Sequence, residues 1–222
     1  MTEKQANKLT QSDNLIVAVR EITGLNKARG GLGKRFVESR YVFDHVFDEL
    51  STQQEVFEGS SKHLILSLLE GYNCSIFAYG ATGSGKTHTM IGNDSSGPGI
   101  MLQMLNGLFE AFKASEQENK FTVTVSFIEV YNENIRDLLD NSTRSTQRHK
   151  PQTLELREDP IRGVVVSGVS EHHPTSPNEV LNLLQQGSNN RATFGTNMNV
   201  VSSRSHAVMQ VMIEAQDRGA GM

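Results

Sequence analysis

The sequence predicts an α/β fold, and three observations predict it. Short apolar runs rich in β-branched residues alternate with segments of helical periodicity. One such run, Cys74 to Tyr79, leads directly into a glycine-rich turn and then a helical pattern. No internal repeat and no linker interrupts the 222 residues, so one domain is expected from 15 to 222 behind a polar leader at 1–14.

Leu15 to Val19 reads as a short, fully buried strand, because β-branched residues dominate it. Glu21 to Arg40 is rich in Gly, Lys and Arg and reads as a loop. Tyr41 to Phe47 suggests an extended piece with three aromatic anchors, Tyr41, Phe43 and Phe47. From Thr52 to Glu70, Val56, Leu64, Ile65, Leu68 and Leu69 recur at helical spacing, with Ser51 or Thr52 as the cap and Gly71 as the stop. Gly99 to Ser115 predicts an amphipathic helix burying Met101, Met104, Leu105, Leu108 and Phe112. Phe121 to Val130 alternates apolar and polar residues, the period of a half-buried strand. Leu154 to Arg157 and Gly163 to Gly168 read as strands around an Asp159-Pro160 turn. Ser176-Pro177 starts a helix expected to stop at Gln186-Gly187, and His206 to Glu214 is a last strand.

Composition narrows the function classes. Twenty-one Lys and Arg against 25 Asp and Glu give a net charge of −4 and a pI near 6.0, which excludes a generally basic nucleic-acid binder. The 36% hydrophobic and 21% charged content is that of a globular chain. A single cysteine allows no intrachain disulfide and points to a reducing compartment; Cys74 itself reads as a small buried filler. Leu15 to Val19 is the longest aliphatic run, far short of the ~20 residues of a membrane span, and the leader has no apolar signal core. An intracellular protein without nucleic-acid or membrane partners is expected. His172 and His173 are adjacent without ligand partners nearby, so no metal is expected there.

The chemistry-bearing signal is Gly80, Ala81, Thr82, Gly83, Ser84, Gly85, Lys86 and Thr87, which fits G-x-x-x-x-G-K-[ST]. Phosphate oxygens need several donors converging from one side, and glycines let backbone N–H groups form that nest without Cβ clashes. Lys86 can reach the β- and γ-phosphates, and the Thr87 hydroxyl can ligate Mg²⁺. A P-loop by itself is shared by kinases, GTPases and motors.

The flanking residues narrow it. Gly71 to Met90 (GYNCSIFAYGATGSGKTHTM) closely resembles the P-loop region of kinesin motor domains. Asn199 to His206 (NVVSSRSH) is similar to the kinesin switch I pattern N-x-x-S-S-R-S-H, and Glu129 to Leu139 to the segment E-x-Y-N-E-x-I-R-D-L-L. The resemblance covers about Asp13 to Glu214, and Leu154 to Asp159 with Ser205 to Val208 resembles the kinesin eight class. It implies a P-loop NTPase fold, with a central, mixed but mostly parallel sheet flanked by helices. It implies ATP and Mg²⁺ as cofactors, microtubules as the partner, and movement along them coupled to ATP hydrolysis. It also implies that Lys86 neutralises phosphate charge and that Thr87 and Ser203 hold Mg²⁺. Asn199 and Ser202 would face the γ-phosphate and attacking water, with Arg204 completing switch I. Arg20 matches the first arginine of the family's R-x-R-P base motif, and His88 stands where the family stacks a ring on adenine. The plain alternative for Ser-Ser-Arg-Ser is a polar loop capping the last strand; beside a P-loop, switch I is preferred. Arg144, Arg148 and Lys150 are either a solvated loop or, by the resemblance, part of a microtubule-facing one.

The sequence also departs from the pattern. Ile22 and Thr23 replace the second arginine and the proline of R-x-R-P, and D-x-A-G-x-E of switch II is not found. The chain therefore resembles the N-terminal two-thirds of a motor, with a sheet expected to be incomplete on its C-terminal side, an unpaired edge at the P-loop strand, and little ATP turnover of its own. A nucleotide- or microtubule-binding module that does not hydrolyse is the alternative expectation.

Overall fold

The computed structural model describes residues 15–22, 35–140, 153–160, 163–196 and 205–218, with side chains from Tyr41 onward and not over 192–196. Strand β1 (Leu15–Ile22) pairs antiparallel with β2 (Arg35–Val42), Leu15 opposite Val42 and Ile22 opposite Arg35. The expected loop at 21–40 thus gives up both ends to a ladder, because backbone pairing over eight residues outweighs weak side-chain propensity. Tyr41 and Phe43 are more than half exposed rather than anchored, and of the three aromatics only Phe47 is half-buried, against His45.

The helical stretch at 52–70 is two helices, α1 (Gln53–Ser60) and α2 (Leu64–Leu69). Thr52 caps α1 in a capping box: its hydroxyl accepts from Glu55 N–H, and the Glu55 carboxylate accepts from Thr52 N–H. Tight turn bonds, Leu64 N–H to Ser61 O and Ile65 N–H to Lys62 O, break the run. That break re-aims the chain, so that Phe57 as well as Ile65 and Leu68 pack with Ile100 and Met104 of the long helix.

Helix α3 (Lys86–Ile91) follows the glycine-rich turn, and a small hairpin of β3 (Gly92–Asn93) and β4 (Gly97–Pro98) links it to α4 (Ile100–Ala114). Met104, Leu105, Leu108 and Phe112 of α4 are buried as their spacing predicts, with Met101 partly so. Strand β5 (Asn119–Tyr131) is the spine of a three-stranded sheet between β6 (Asn134–Asp137) and β9 (Ser205–Asp217). Asn132 and Glu133 both adopt positive φ, +47° and +67°, the geometry of a tight two-residue hairpin turn.

The half-buried reading of β5 holds only at its ends. From Val123 to Phe127 every residue is buried, because both faces are covered. Val123, Val125 and Phe127 meet Leu138, Val180 and Leu184 in the core, while Thr124 Oγ1 lies 3.1 Å from His173 Nδ1. Strands β7 (Glu155–Asp159) and β8 (Gly163–Ser167) form the expected hairpin.

Helix α5 (Pro177–Thr196) starts at Ser176, whose hydroxyl accepts from Glu179 N–H, but it runs through Gly187 instead of stopping there. Gly187 serves close packing: a Cβ there would lie 2.2 Å from Phe127 Cδ1. Farther along, Asn190 Nδ2 donates to Leu138 O at 2.7 Å, satisfying a carbonyl at the end of β6.

Two expectations about the sheet change. Every ladder among the described residues is antiparallel, so the mostly parallel arrangement is not seen in them. The run Cys74–Tyr79 belongs to no ladder; it is an unpaired segment with Phe77 83% and Tyr79 96% exposed. A strand exists only through its neighbours' hydrogen bonds, and none is given to this segment among the described residues. Cys74, expected buried, is only half so.

Candidate functional site

The turn Gly80–Thr87 is shaped by glycines where the motif needs them. Gly83 and Gly85 have φ of +80° and +92°, a region that residues with a Cβ rarely enter. Ser84 N–H donates to Ala81 O at 3.1 Å, curling the chain, and Gly85 caps α3, accepting from Thr89 N–H at 2.9 Å. The Lys86 ammonium folds over this curl and donates to Gly80 O at 3.0 Å and Ala81 O at 2.7 Å. Ala81, Thr82, Ser84 and Thr87 are exposed, so the loop presents backbone groups, hydroxyls and one cation on an accessible surface.

His88, in the first turn of α3, has an exposed ring. Gln53 Nε2 donates to His88 O at 2.7 Å and lies 3.3 Å from its Nδ1. Arg20 lies on β1, opposite Val37. Asn199, Ser202, Ser203 and Arg204 lie outside the described residues, as do Arg144, Arg148 and Lys150. Contiguous residues of the loop and His88 are therefore brought together; the switch I set is not described beside them. Among the described residues no cluster of three or more His, Cys, Asp or Glu side chains suits a metal, and no helix is long and apolar enough to cross a membrane.

Sequence reasoning missed two polar networks. Gln53 and Gln103, both buried, connect α1, α3 and α4; as isolated glutamines they gave no signal. The second joins the buried Glu129 carboxylate to Arg191 of α5, at 3.3 Å, and to the Ser205 hydroxyl, which donates to it. Arg191 also donates to Ser205 O at 3.1 Å. Ser205 directly follows the switch I candidates, so this partly buried ion pair fixes the first residue of β9. Glu129 and Ser205 stand inside two recognised motifs, but only the fold brings Arg191 to them.

The family model of the kinesin motor domain matches residues 2–222. The chain belongs to the kinesin motor domain family. Kinesin-like protein KIF18A of Mus musculus is 49% identical over 183 residues, 82% of this chain and 20% of its own length. Kinesin-like protein KIN-8B of Arabidopsis thaliana is 42% identical over 184 residues, 83% of this chain and 21% of its own length. Both agree with the resemblance to the kinesin eight class. A solved structure titled as that of a fast kinesin, with implications for ATPase mechanism and interactions with microtubules, superposes with a TM-score of 0.80 at 31% identity. It covers 96% of this chain and 55% of that one. The architecture is thus the α/β, P-loop NTPase-type fold of kinesin motors. The chain spans about a fifth of the length of the curated relatives it matches.

Proposed function

We propose that this kinesin-family chain, as one domain over 15–222, binds ATP with Mg²⁺ as part of a microtubule-based motor. The carrying observation is the Lys86 ammonium held over a turn whose shape depends on Gly83 and Gly85. That donor set fits a phosphate chain: backbone N–H groups from Gly80 to Gly85, one compact cation, and exposed hydroxyls beside it.

In this reading Lys86 balances β- and γ-phosphate charge, while Thr87 and Ser203 offer oxygens to the metal. Asn199 and Ser202 orient the terminal phosphate and water, and Arg204 anchors switch I. Arg20 and His88 flank the base. When bound, ATP supplies the phosphoanhydride and Mg²⁺ the charge neutralisation that phosphoryl transfer needs. The protein's own part is positioning and electrostatics. The partner is the acidic microtubule surface, met in part by Arg144, Arg148 and Lys150, which places the protein on the cytoplasmic cytoskeleton. The likeness to the solved structure of a fast kinesin, described with implications for ATPase mechanism and interactions with microtubules, favours this reading.

Lys86→Ala should lower ATP affinity on the order of a hundredfold, because a charged donor to phosphate is lost. Thr87→Ala should weaken binding mainly when Mg²⁺ is present. Isothermal titration with and without the metal checks both; an unchanged isotherm for Lys86→Ala would sink the assignment.

A further inference from the structure

Gln53 is only 6% exposed although it opens α1, where a polar side chain ordinarily faces water. Its Nε2 lies 2.7 Å from His88 O and 3.3 Å from His88 Nδ1. A carbonyl can only accept, so the nitrogen end of the amide must face His88. With that nitrogen a donor, Nδ1 has to accept, and the ring proton sits on Nε2. The backbone that carries this side chain is itself held in place. Gln103, 7% exposed, donates from Nε2 to Gln53 O at 3.1 Å and to Pro98 O at 2.8 Å. Two carbonyls fix that amide's orientation in the same way, and its Oε1 is left buried without a partner. Such an unsatisfied atom is costly, so the arrangement gives up some stability where Gln103 fixes the backbone of Gln53. The His88 ring is thus pinned along its Nδ1 edge and exposed elsewhere.

We propose that Gln53 is a positioning residue for the nucleotide base: it fixes the rotation and the Nε2–H tautomer of His88, so that the ring offers one defined face to a purine. This inference rests on the reading that His88 flanks the base. Ring-on-ring contact depends on orientation, and a freely rotating imidazole would lose that ordering on each binding event. Gln103 acts one step further back, by holding the Gln53 backbone from α4.

The test uses the 222-residue chain with two probes, ATP and inorganic tripolyphosphate, which carries the charge without a base. Long-range ¹H–¹⁵N spectra should show the parent's His88 protonated at Nε2, and Gln53→Leu should give a mixture of tautomers. Gln53→Leu should weaken ATP about three- to tenfold, the loss of one or two hydrogen bonds, with tripolyphosphate affinity unchanged. His88→Ala should weaken ATP at least as much and again spare tripolyphosphate. In the His88→Ala background, adding Gln53→Leu should cost no further ATP affinity, because the glutamine acts through the ring. If His88→Ala leaves ATP affinity intact, the base-site reading falls. If His88→Ala weakens ATP while Gln53→Leu does not, that reading stands and the role of Gln53 is overturned. Additive losses in the double variant, or an Nδ1-protonated parent, overturn it equally.

Discussion

The phosphate-loop region and the β5–β9 core are built on opposite terms. The segment from Cys74 to Thr87 joins no ladder, exposes Phe77 and Tyr79, and holds its turn with a few backbone bonds and the Lys86 ammonium. The core buries Val125, Leu138, Leu139 and Val180 to 0% exposure between a thirteen-residue ladder and two helices. Ligand-contacting parts come from the weakly buried end of a molecule because they must stay open, and rigidity has to be supplied from beneath. Binding and stability should therefore separate when the two regions are altered one at a time.

The largest stability effect should come from Leu138→Ala. Its side chain is fully buried, so truncation leaves a cavity and should cost about 2–5 kcal/mol. For a chain of this size that is a fall in Tm of roughly 4–20 °C. Tripolyphosphate affinity of the folded protein at low temperature should stay within twofold, whereas Lys86→Ala should show the reverse pattern. Calorimetric melts and titrations on both variants decide it. A large loss of affinity in Leu138→Ala would show that the loop leans on the core after all.

A smaller effect is expected at Gly187, where α5 passes over β5. Ala would bring a methyl 2.2 Å from Phe127 Cδ1, an overpacking cost of about 1–3 kcal/mol. Against that, Ala is a better helix residue than Gly by ~0.5–1 kcal/mol. Net destabilisation of roughly 1 kcal/mol follows, and Phe127→Leu in the same chain should return most of it. If Gly187→Ala alone raises Tm, the glycine is not there for close approach.

The same glycine shows what the sequence could and could not reveal. Gly187 signals a helix stop by local rules, and only the neighbouring Phe127 explains why α5 continues. The P-loop, the helix that follows it and the apolar face of α4 were legible, because each depends on residues close in sequence, whereas the strand expected before the loop is an unpaired segment. The pairing of β1 with β2, the break between α1 and α2, and the burial of Thr124 and Ser126 were not, since each depends on partners elsewhere. The candidate site divided in the same way. Gly80 to Thr87 was readable as a local motif, but Gln53 reaches His88 across 35 positions and Glu129 reaches Ser205 across 76.

The smallest effect should be found on the exposed face of α1, where charge is present without burial. The Glu58 carboxyl is held below its usual range, first by the Gln54 amide, which donates to it at 2.8 Å, and then by Lys62 at 3.5 Å. A carboxyl lowered in the folded state adds stability above its unfolded pKa, and that contribution is lost as pH falls through the folded value. The sign is therefore clear: Gln54→Ala should be very slightly less stable than the parent near neutral pH and indistinguishable from it in acid. Both charged side chains are about half exposed, and water screens such pairs until little remains. Melts of parent and variant at neutral pH should agree within replicate scatter. A reproducible gap that also closes in acid would mean that this surface helix is held by electrostatics rather than by Phe57 against α4, and the contrast between a core that carries stability and a surface that does not would have to be redrawn.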